Sequence, residues 1–284
     1  MKNNKLMKWA TTWPIVIYSF LLIVLPLLYV FIISFFESDS YGGMNITLTL
    51  NNYFMLFDEV YIKVFFKSFI IGGITTLICL LISYPFSLCL RRQSEKVQSL
   101  CMILVILPFL TNSLIRTYGW IVLLRKEGLV NSFLKSVGLI KESISFMYND
   151  FGIIVGLVYT LLPFMILPVY SAVSKLNNSI IEASRDLGAN GIQTFFKVIL
   201  PNTMSGMISG ILMVFIPAIG YFFISDILGG GKSMLIGNLI KNQFLTARNW
   251  PFGASVSIFL IIITFAIVGL YKKTGGNMDD LGGI

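Results

Sequence analysis

Asp226 lies four residues beyond Phe222 and three beyond Phe223, so on a helix the carboxylate and both rings share one face, with Tyr221 one position further back. A carboxylate supplies the counter-charge for a cation, and an aromatic ring supplies cation–π contact and an apolar wall. This stretch is the best constellation in the chain for holding an organic cation. A second reading stays open: a belt of rings at a membrane–water boundary with a loop aspartate beside it. Tyr118 and Trp120 suit either reading, as lining of the same path or as part of the belt. Two basic residues complicate a cation path. Arg116 is the basic residue most deeply flanked by apolar sequence. Placed near the end of its apolar run, it is expected to snorkel to the boundary in a structural role. Lys241 repels a cation unless an acid such as Asp226 neutralises it, in which case the pair forms a gate.

Most other chemistry is excluded. The chain has no histidine, which removes His-based metal sites, His-activated nucleophiles and imidazole proton relays. Cys79, Cys89 and Cys101 lack the spacing of metal ligands and are expected as small buried apolar side chains. No catalytic residue and no metal ligand is assigned. Gly229-Gly230-Gly231-Lys232-Ser233 imitates the end of a phosphate-binding loop. The full motif needs a glycine five residues before Gly231, and that position is Asp226. The segment also leaves an apolar run rather than a strand, so nucleotide binding by this chain is excluded.

The elements that must position these residues are apolar. Of 284 residues, 56% are hydrophobic and 12% charged, where soluble domains carry about a quarter charged. Six runs reach the roughly 20 residues that cross a bilayer: 14–36, 65–90, 100–124, 151–173, 204–228 and 254–271. They are continuous rather than alternating, which selects helices over a β-barrel. The expected fold class is an all-α integral membrane protein with six transmembrane helices. The first run follows Lys2, Lys5 and Lys8 but is too long for a signal peptide and lacks a small-x-small cleavage site, so it reads as an uncleaved span. The net charge of +8 reads as membrane orientation, not nucleic-acid affinity. The N-terminal tail and the turn from Arg91 to Lys96 are short and strongly basic, which places them inside. The opposite loops mix in Glu37, Asp39, Asp58, Glu59, Glu127, Glu142, Asp150 and Asp226. Both termini are then cytoplasmic. Pro26, Pro85, Pro108, Pro163, Pro168 and Pro217 bend spans. Residues 1–60 form a tail, first span and outer loop, 61–273 a five-span core, and 274–284 a flexible tail.

One inner loop, between the fourth and fifth runs, is polar and patterned. Ser179 is placed to cap a short helix, with Glu182 completing a capping box. Ile180, Ala183, Ser184 and Leu187 share a weakly apolar face, and Gly188 ends the helix. A second helix is expected over 192–200, with Pro201 beginning the next span. The segment resembles the EAA signature of ABC-importer permeases: Glu-Ala-Ala, three residues, Gly, nine residues, then Ile-x-Leu-Pro. Here Glu182-Ala183-Ser184, Gly188 and Val198-Ile199-Leu200-Pro201 stand at those spacings, with Ser184 for the second Ala and Val198 for Ile. Pro108, Arg116-Thr117-Tyr118-Gly119-Trp120 and the stretch from Gly220 to Gly230 are similar to the matching regions of spermidine/putrescine permeases of the PotB type. The resemblance covers roughly residues 65–272.

The resemblance implies an ABC type I importer permease fold with a cytoplasmic coupling-helix hairpin. Glu182, Ala183, Ser184, Gly188, Leu200 and Pro201 would couple it to a separate ATPase. Tyr221, Phe222, Phe223, Asp226, Lys241, Tyr118 and Trp120 would line the path of a polyamine. Implied partners are a second homologous permease, two ATPase subunits, an external substrate-binding protein and membrane lipid, with no nucleic acid. This chain would bind no cofactor, with ATP and Mg2+ in the ATPases, and it would sit in the cell inner membrane. Permeases for iron, thiamine and sulfate share the signature, so another small solute stays open as substrate. A secondary transporter would show repeated halves and mid-membrane coupling residues. An intramembrane enzyme would need a polar catalytic cluster. The chain shows neither pattern.

Overall fold

The computed structural model describes residues 12–39 and 42–273. Lys2, Lys5, Lys8 and the expected flexible tail at 274–284 lie outside the described residues. The described chain is largely helical and divides into two compact units: residues 12–62 with 239–263, and residues 63–238 with 264–273.

In the first unit, α1 (Thr12–Ile33) is long and apolar enough to span a bilayer. Its apolar side chains are exposed from Trp13 to Ile32. A helix that is apolar all round and unpacked on protein is one that lipid must cover. A short antiparallel pair follows, β1 (Phe36–Ser38) and β2 (Met44–Leu48), with Phe36 opposite Leu48 and Ser38 opposite Met44. This strand pair departs from a purely helical fold. Asn52, in α2 (Asn51–Met55), donates to the carbonyls of Ser34 and Phe36 at 3.0 and 2.8 Å, satisfying backbone groups where α1 ends.

The second unit is built on α3 (Glu59–Arg91) and α7 (Asp150–Ser174). Between them lie α4 (Glu95–Ile106), α5 (Ser113–Leu124) and α6 (Leu129–Ser136). After α7 come α8 (Asn178–Asp186), α9 (Gly191–Asn202), α10 (Met204–Gly220), α11 (Phe222–Gly229) and α12 (Ile236–Leu245). The last helix, α13 (Trp250–Lys273), contributes its C-terminal turns. Ile153, Leu157, Leu161, Met165, Val169 and Val173 form a stripe along α7 at four-residue spacing, all fully buried.

Glycines set how closely α7 is approached. A Cβ on Gly206 of α10 would lie 2.5 Å from both the Ala172 Cβ and the Pro168 carbonyl oxygen, and one on Gly210 would lie 2.6 Å from the Met165 sulfur. On the other flank, a Cβ on Gly156 would lie 2.5 Å from Leu228 of α11. Both are Gly-x-x-x-Gly pairs, Gly206/Gly210 and Gly152/Gly156. In lipid, where burying apolar surface gives no net gain, such close approach is what holds helices together.

Among the described residues four helices are each long and apolar enough to cross a bilayer alone: α1, α3, α7 and α13. The runs expected at 100–124 and 204–228 are not single straight helices. The pair Glu95–Leu110 and Ser113–Ser136 bends by 96°. Pro108 opens a 3-10 turn at Leu107–Leu110, and the Asn112 side chain caps the next helix by accepting from the Leu114 N–H at 2.8 Å. The pair Gly191–Asn202 and Met204–Gly220 bends by 73°. Pro201 therefore does not begin the fifth span, which starts after the break at Thr203. That span ends at Gly220, where Tyr221 turns extended (φ −72°, ψ 90°) before α11. Of the three cysteines only Cys79 is buried, while Cys89 is exposed and Cys101 intermediate.

Candidate functional site

The polar loop folds as an elbow. α8 begins two residues earlier than its pattern implies. Asn177, not Ser179, is the N-cap, its side chain accepting from the Ser179 N–H at 3.1 Å. Glu182 is therefore not part of a capping box. The reciprocal box belongs to the second arm, where Asn190 accepts from the Gln193 N–H at 2.9 Å and Gln193 accepts from the Asn190 N–H at 3.0 Å. Between the arms Gly188 adopts φ +84°. The Gly188 N–H bonds the Arg185 carbonyl at 2.8 Å and the Ala189 N–H bonds the Ser184 carbonyl at 3.1 Å. That pair of bonds is a Schellman closure, and its left-handed residue is nearly always glycine.

Ser184 explains its own departure from the signature. It is buried, and its hydroxyl bonds the Ile181 carbonyl at 2.8 Å and faces the buried Thr194 hydroxyl at 3.1 Å, joining the two arms. The expected common face of Ile180, Ala183, Ser184 and Leu187 is thus split. Ser184 turns inward, while Leu187 is 88% exposed and Ile192 and Phe196 are 72% and 60% exposed. The second arm is not one regular helix over 192–200, because it widens into a π-helical stretch at Phe195–Ile199. Glu182 and Ala183 are exposed, Leu200 is half-buried, and Pro201 sits exposed in the last turn before the break.

Two residues of α3, Arg91 and Tyr84, tie the elbow to that helix. Arg91 donates to the Leu176 carbonyl and, at 2.6 Å, to the Asn178 side chain at the start of the first arm. The Tyr84 hydroxyl bonds the Thr203 hydroxyl at the far end, and the Tyr84 ring packs on Phe195 at 5.2 Å. Beside the elbow is a cleft of about 510 Å³ lined in part by Arg91, Arg92, Asn178, Glu182 and Arg185. Neither Tyr84 nor Thr203 stands out in the sequence. Their partners lie on another helix, beyond the reach of any local pattern.

The Asp226 region lies at the other end of the unit. α7 has 25 residues, so its ends are about 37 Å apart. The elbow follows its last residue, and α11 packs on its first turns through Gly152 and Gly156. The Asp226 carboxylate accepts from the Asn238 amide at 2.6 Å. The same amide donates to the Phe222 carbonyl at 3.0 Å, and the Asn238 side-chain oxygen accepts from the Leu235 N–H at 3.1 Å. Tyr221 and Phe223 meet edge to face at 5.2 Å and pack on the core, whereas Phe222 is 41% exposed.

Trp120 and Tyr118 do not share one environment. Trp120 packs edge to face on Tyr159 at 5.4 Å, while Tyr118, two residues away, is 58% exposed. Lys241 lies on α12 in the part that belongs to the first unit. Arg116 is half-buried. Its guanidinium is held between the rings of Phe109 and Tyr159, with centroids at 5.5 and 5.6 Å. Tyr159 is about 14 Å along α7 from its first residue. The bend before α5 carries Arg116 inward to this level, where two aromatic faces replace water around the charge.

The sequence profile of the family described as binding-protein-dependent transport system inner membrane component matches residues 4–273. The chain is 45% identical over 273 residues to the spermidine/putrescine transport system permease protein PotB of Haemophilus influenzae, covering 95% of this chain and 94% of that protein. It is 44% identical over 253 residues to the protein of the same name from Escherichia coli, covering 89% and 92%. Among solved structures, it is similar to a chain of a bacterial ABC transporter involved in the import of the acidic polysaccharide alginate, with a TM-score of 0.72, 16% identity and 96% of each chain covered. A second structure of a bacterial alginate ABC transporter, in complex with a pentasaccharide-bound periplasmic protein, matches with a TM-score of 0.72 at 15% identity, covering 94% and 93%. At those identities the likeness is one of fold.

Proposed function

This chain belongs to the family of binding-protein-dependent transport system inner membrane components, and from that premise we propose that it is the permease subunit of an ATP-driven polyamine importer and forms half of its translocation pathway. The observation that carries the reading is the 45% identity to a spermidine/putrescine permease along 95% of the chain. A likeness spread over every span, not confined to the loop signature, is what a shared pathway requires.

The elbow supports the coupling role. It is a small rigid block, closed at Gly188, braced by Ser184 and Thr194, and fastened to α3 at both ends. Its exposed apolar tip, Leu187, Ile192 and Phe196, offers a partner surface to bury. Glu182, Ala183, Ser184, Gly188, Leu200 and Pro201 form the coupling segment, which docks on a cytoplasmic ATPase. A push on such a block moves α7 and α10 as rigid bodies. ATP and Mg2+ belong to two ATPase subunits, a second homologous permease completes the pathway, and an external binding protein delivers the ligand. Both termini are cytoplasmic, and the first residue of α7 faces outward.

Asp226 with Tyr221, Phe222 and Phe223 receives the polycation on that outer side, and Tyr118 and Trp120 of the same unit are assigned to its path. Cells deprived of their own polyamine uptake and given the complete importer should accumulate labelled spermidine, and should stop when this chain alone is omitted. Uptake that persists without the ATPase or the binding protein would refute the reading. So would transport of sulfate, thiamine or iron in place of polyamine.

A further inference from the structure

Beyond Asp226, a second carboxylate stands at the end of the unit remote from the elbow. Asp150, the first residue of α7, forms an ion pair with the Lys67 ammonium of α3 at 2.9 Å. The Ser233 hydroxyl donates to the same carboxylate oxygen and accepts from the Lys67 ammonium at 3.0 Å. One ammonium thus sits on a carboxylate and a hydroxyl that are themselves bonded to each other.

The pocket for that ammonium is held in place from behind. Ser225, fully buried, donates to the Ser233 carbonyl at 2.7 Å. Ser68, fully buried one residue after Lys67, accepts from the Ile236 N–H at 2.9 Å. Gly230 and Gly231, at φ +60° and +73°, turn the chain from α11 into this segment. The Gly-Gly-Gly-Lys-Ser stretch that mimics a phosphate loop is, in the fold, the turn that aims the Ser233 hydroxyl. The segment carrying Ser233 is held by the buried Ser225 and Ser68, while the side chains of Lys67 and Asp150 are 36% and 49% exposed, open to exchange, and lysine is a compact charge on a flexible stem.

We propose that Asp150 and Ser233 form an ammonium-binding pair, that the Lys67 side chain fills it in this structure, and that a terminal primary ammonium of the polyamine takes its place during import. The inference rests on the polyamine reading above. The chemical match is close, because the lysine side chain is an aminobutyl group, the same arm that putrescine and spermidine carry. Exchanging one primary ammonium for another leaves the carboxylate neutralised and the hydroxyl bonded, so the substitution carries no large desolvation cost. It also frees Lys67 from the α11–α12 turn, leaving the buried Ser68–Ile236 bond to join α3 to that segment.

The test is a series of spermidine KM and Vmax values measured on the complete importer in cells, with the amount of this chain in the membrane quantified for each variant. Lys67→Gln removes the internal competitor and should lower KM about two- to fivefold, the range that a half-exposed ion pair supplies. Lys67→Arg, a bidentate partner that is harder to displace, should raise KM. Asp150→Asn should raise KM by up to about fivefold. A merely structural bridge gives the reverse order: Arg equal to Lys, Gln worse, and the loss in Vmax or membrane amount at unchanged KM. That result, or a flat KM across the series, overturns the inference while leaving the importer reading intact. If the unaltered complex shows no saturable spermidine uptake, the substrate assignment falls and this inference falls with it.

Discussion

Replacing Gly188 tests whether elbow geometry carries the coupling. Gly188 sits at φ +84°, and a Cβ built there would have nothing within 4 Å. Any penalty on substitution is therefore one of backbone conformation, with no steric contribution from neighbours. Alanine in a left-handed conformation costs about 1–2 kcal/mol. The two bonds that close the elbow, from the Gly188 and Ala189 N–H groups, depend on that conformation. If ATPase docking needs the closed elbow, Gly188→Ala should weaken co-purification of the ATPase by about five- to thirtyfold. Asparagine tolerates the left-handed region, so Gly188→Asn should stay within about threefold of the unaltered chain. Membrane amount should not change for either, because the position touches nothing in the bundle. The assay is detergent extraction of the complex, quantification of bound ATPase, and spermidine taken up per ATP hydrolysed. Alanine behaving like asparagine, with both at the unaltered level, would show that the closure is not what the ATPase reads. Equal collapse of both would show that the glycine serves close contact with the partner instead of conformation.

Two further outcomes follow from the site and the packing. Asp226→Asn keeps the size of the side chain and can still bond Asn238, but it removes the charge, so spermidine KM should rise while membrane amount and basal ATPase activity hold; unchanged uptake kinetics would take Asp226 out of the pathway. Gly206→Leu forces a side chain against the Pro168 carbonyl and Ala172, both 2.5 Å from the first added carbon, and should cost at least about 1–3 kcal/mol of overpacking. It should show as a lower thermal unfolding midpoint or loss of the chain from the membrane, whereas Gly269→Leu, with nothing within 4 Å, should leave both unchanged.

What could be read from the sequence divides by the distance over which each signal acts. The runs at 65–90 and 151–173 became α3 and α7, because a long continuous apolar stretch has few alternatives in a bilayer. The runs at 100–124 and 204–228 were equally apolar, yet hydropathy is blind to direction. The bends were signalled by short-range features instead: Pro108 followed by the capping residue Asn112, and Pro201 just before the break at Thr203. Gly188 was legible because a left-handed closure is a local requirement that glycine meets. The capping box was misplaced because Ser179 and Asn177 are both good caps, and only the fold selects the residue whose side chain reaches a free N–H.

The polar contacts that make the two ends of the unit specific were not legible, and the reason is geometric. Asp226 meets Asn238 across a turn of twelve residues, Lys67 meets Asp150 across eighty-three, and Tyr84 meets Thr203 across one hundred and nineteen. No helical or strand period relates such positions. The close approach of α10 and α11 to α7 through the Gly206/Gly210 and Gly152/Gly156 surfaces sets where the segments carrying Thr203, Asp226 and Ser233 lie along α7. Those glycine pairs were the readable signal. Two small-x-x-x-small motifs in apolar runs mark the faces that must touch, and the touching faces then fix which charges at the ends of the helices can meet. In a membrane protein with few charges, locating those faces first narrows the search for a polar site more than inspecting the polar residues one by one.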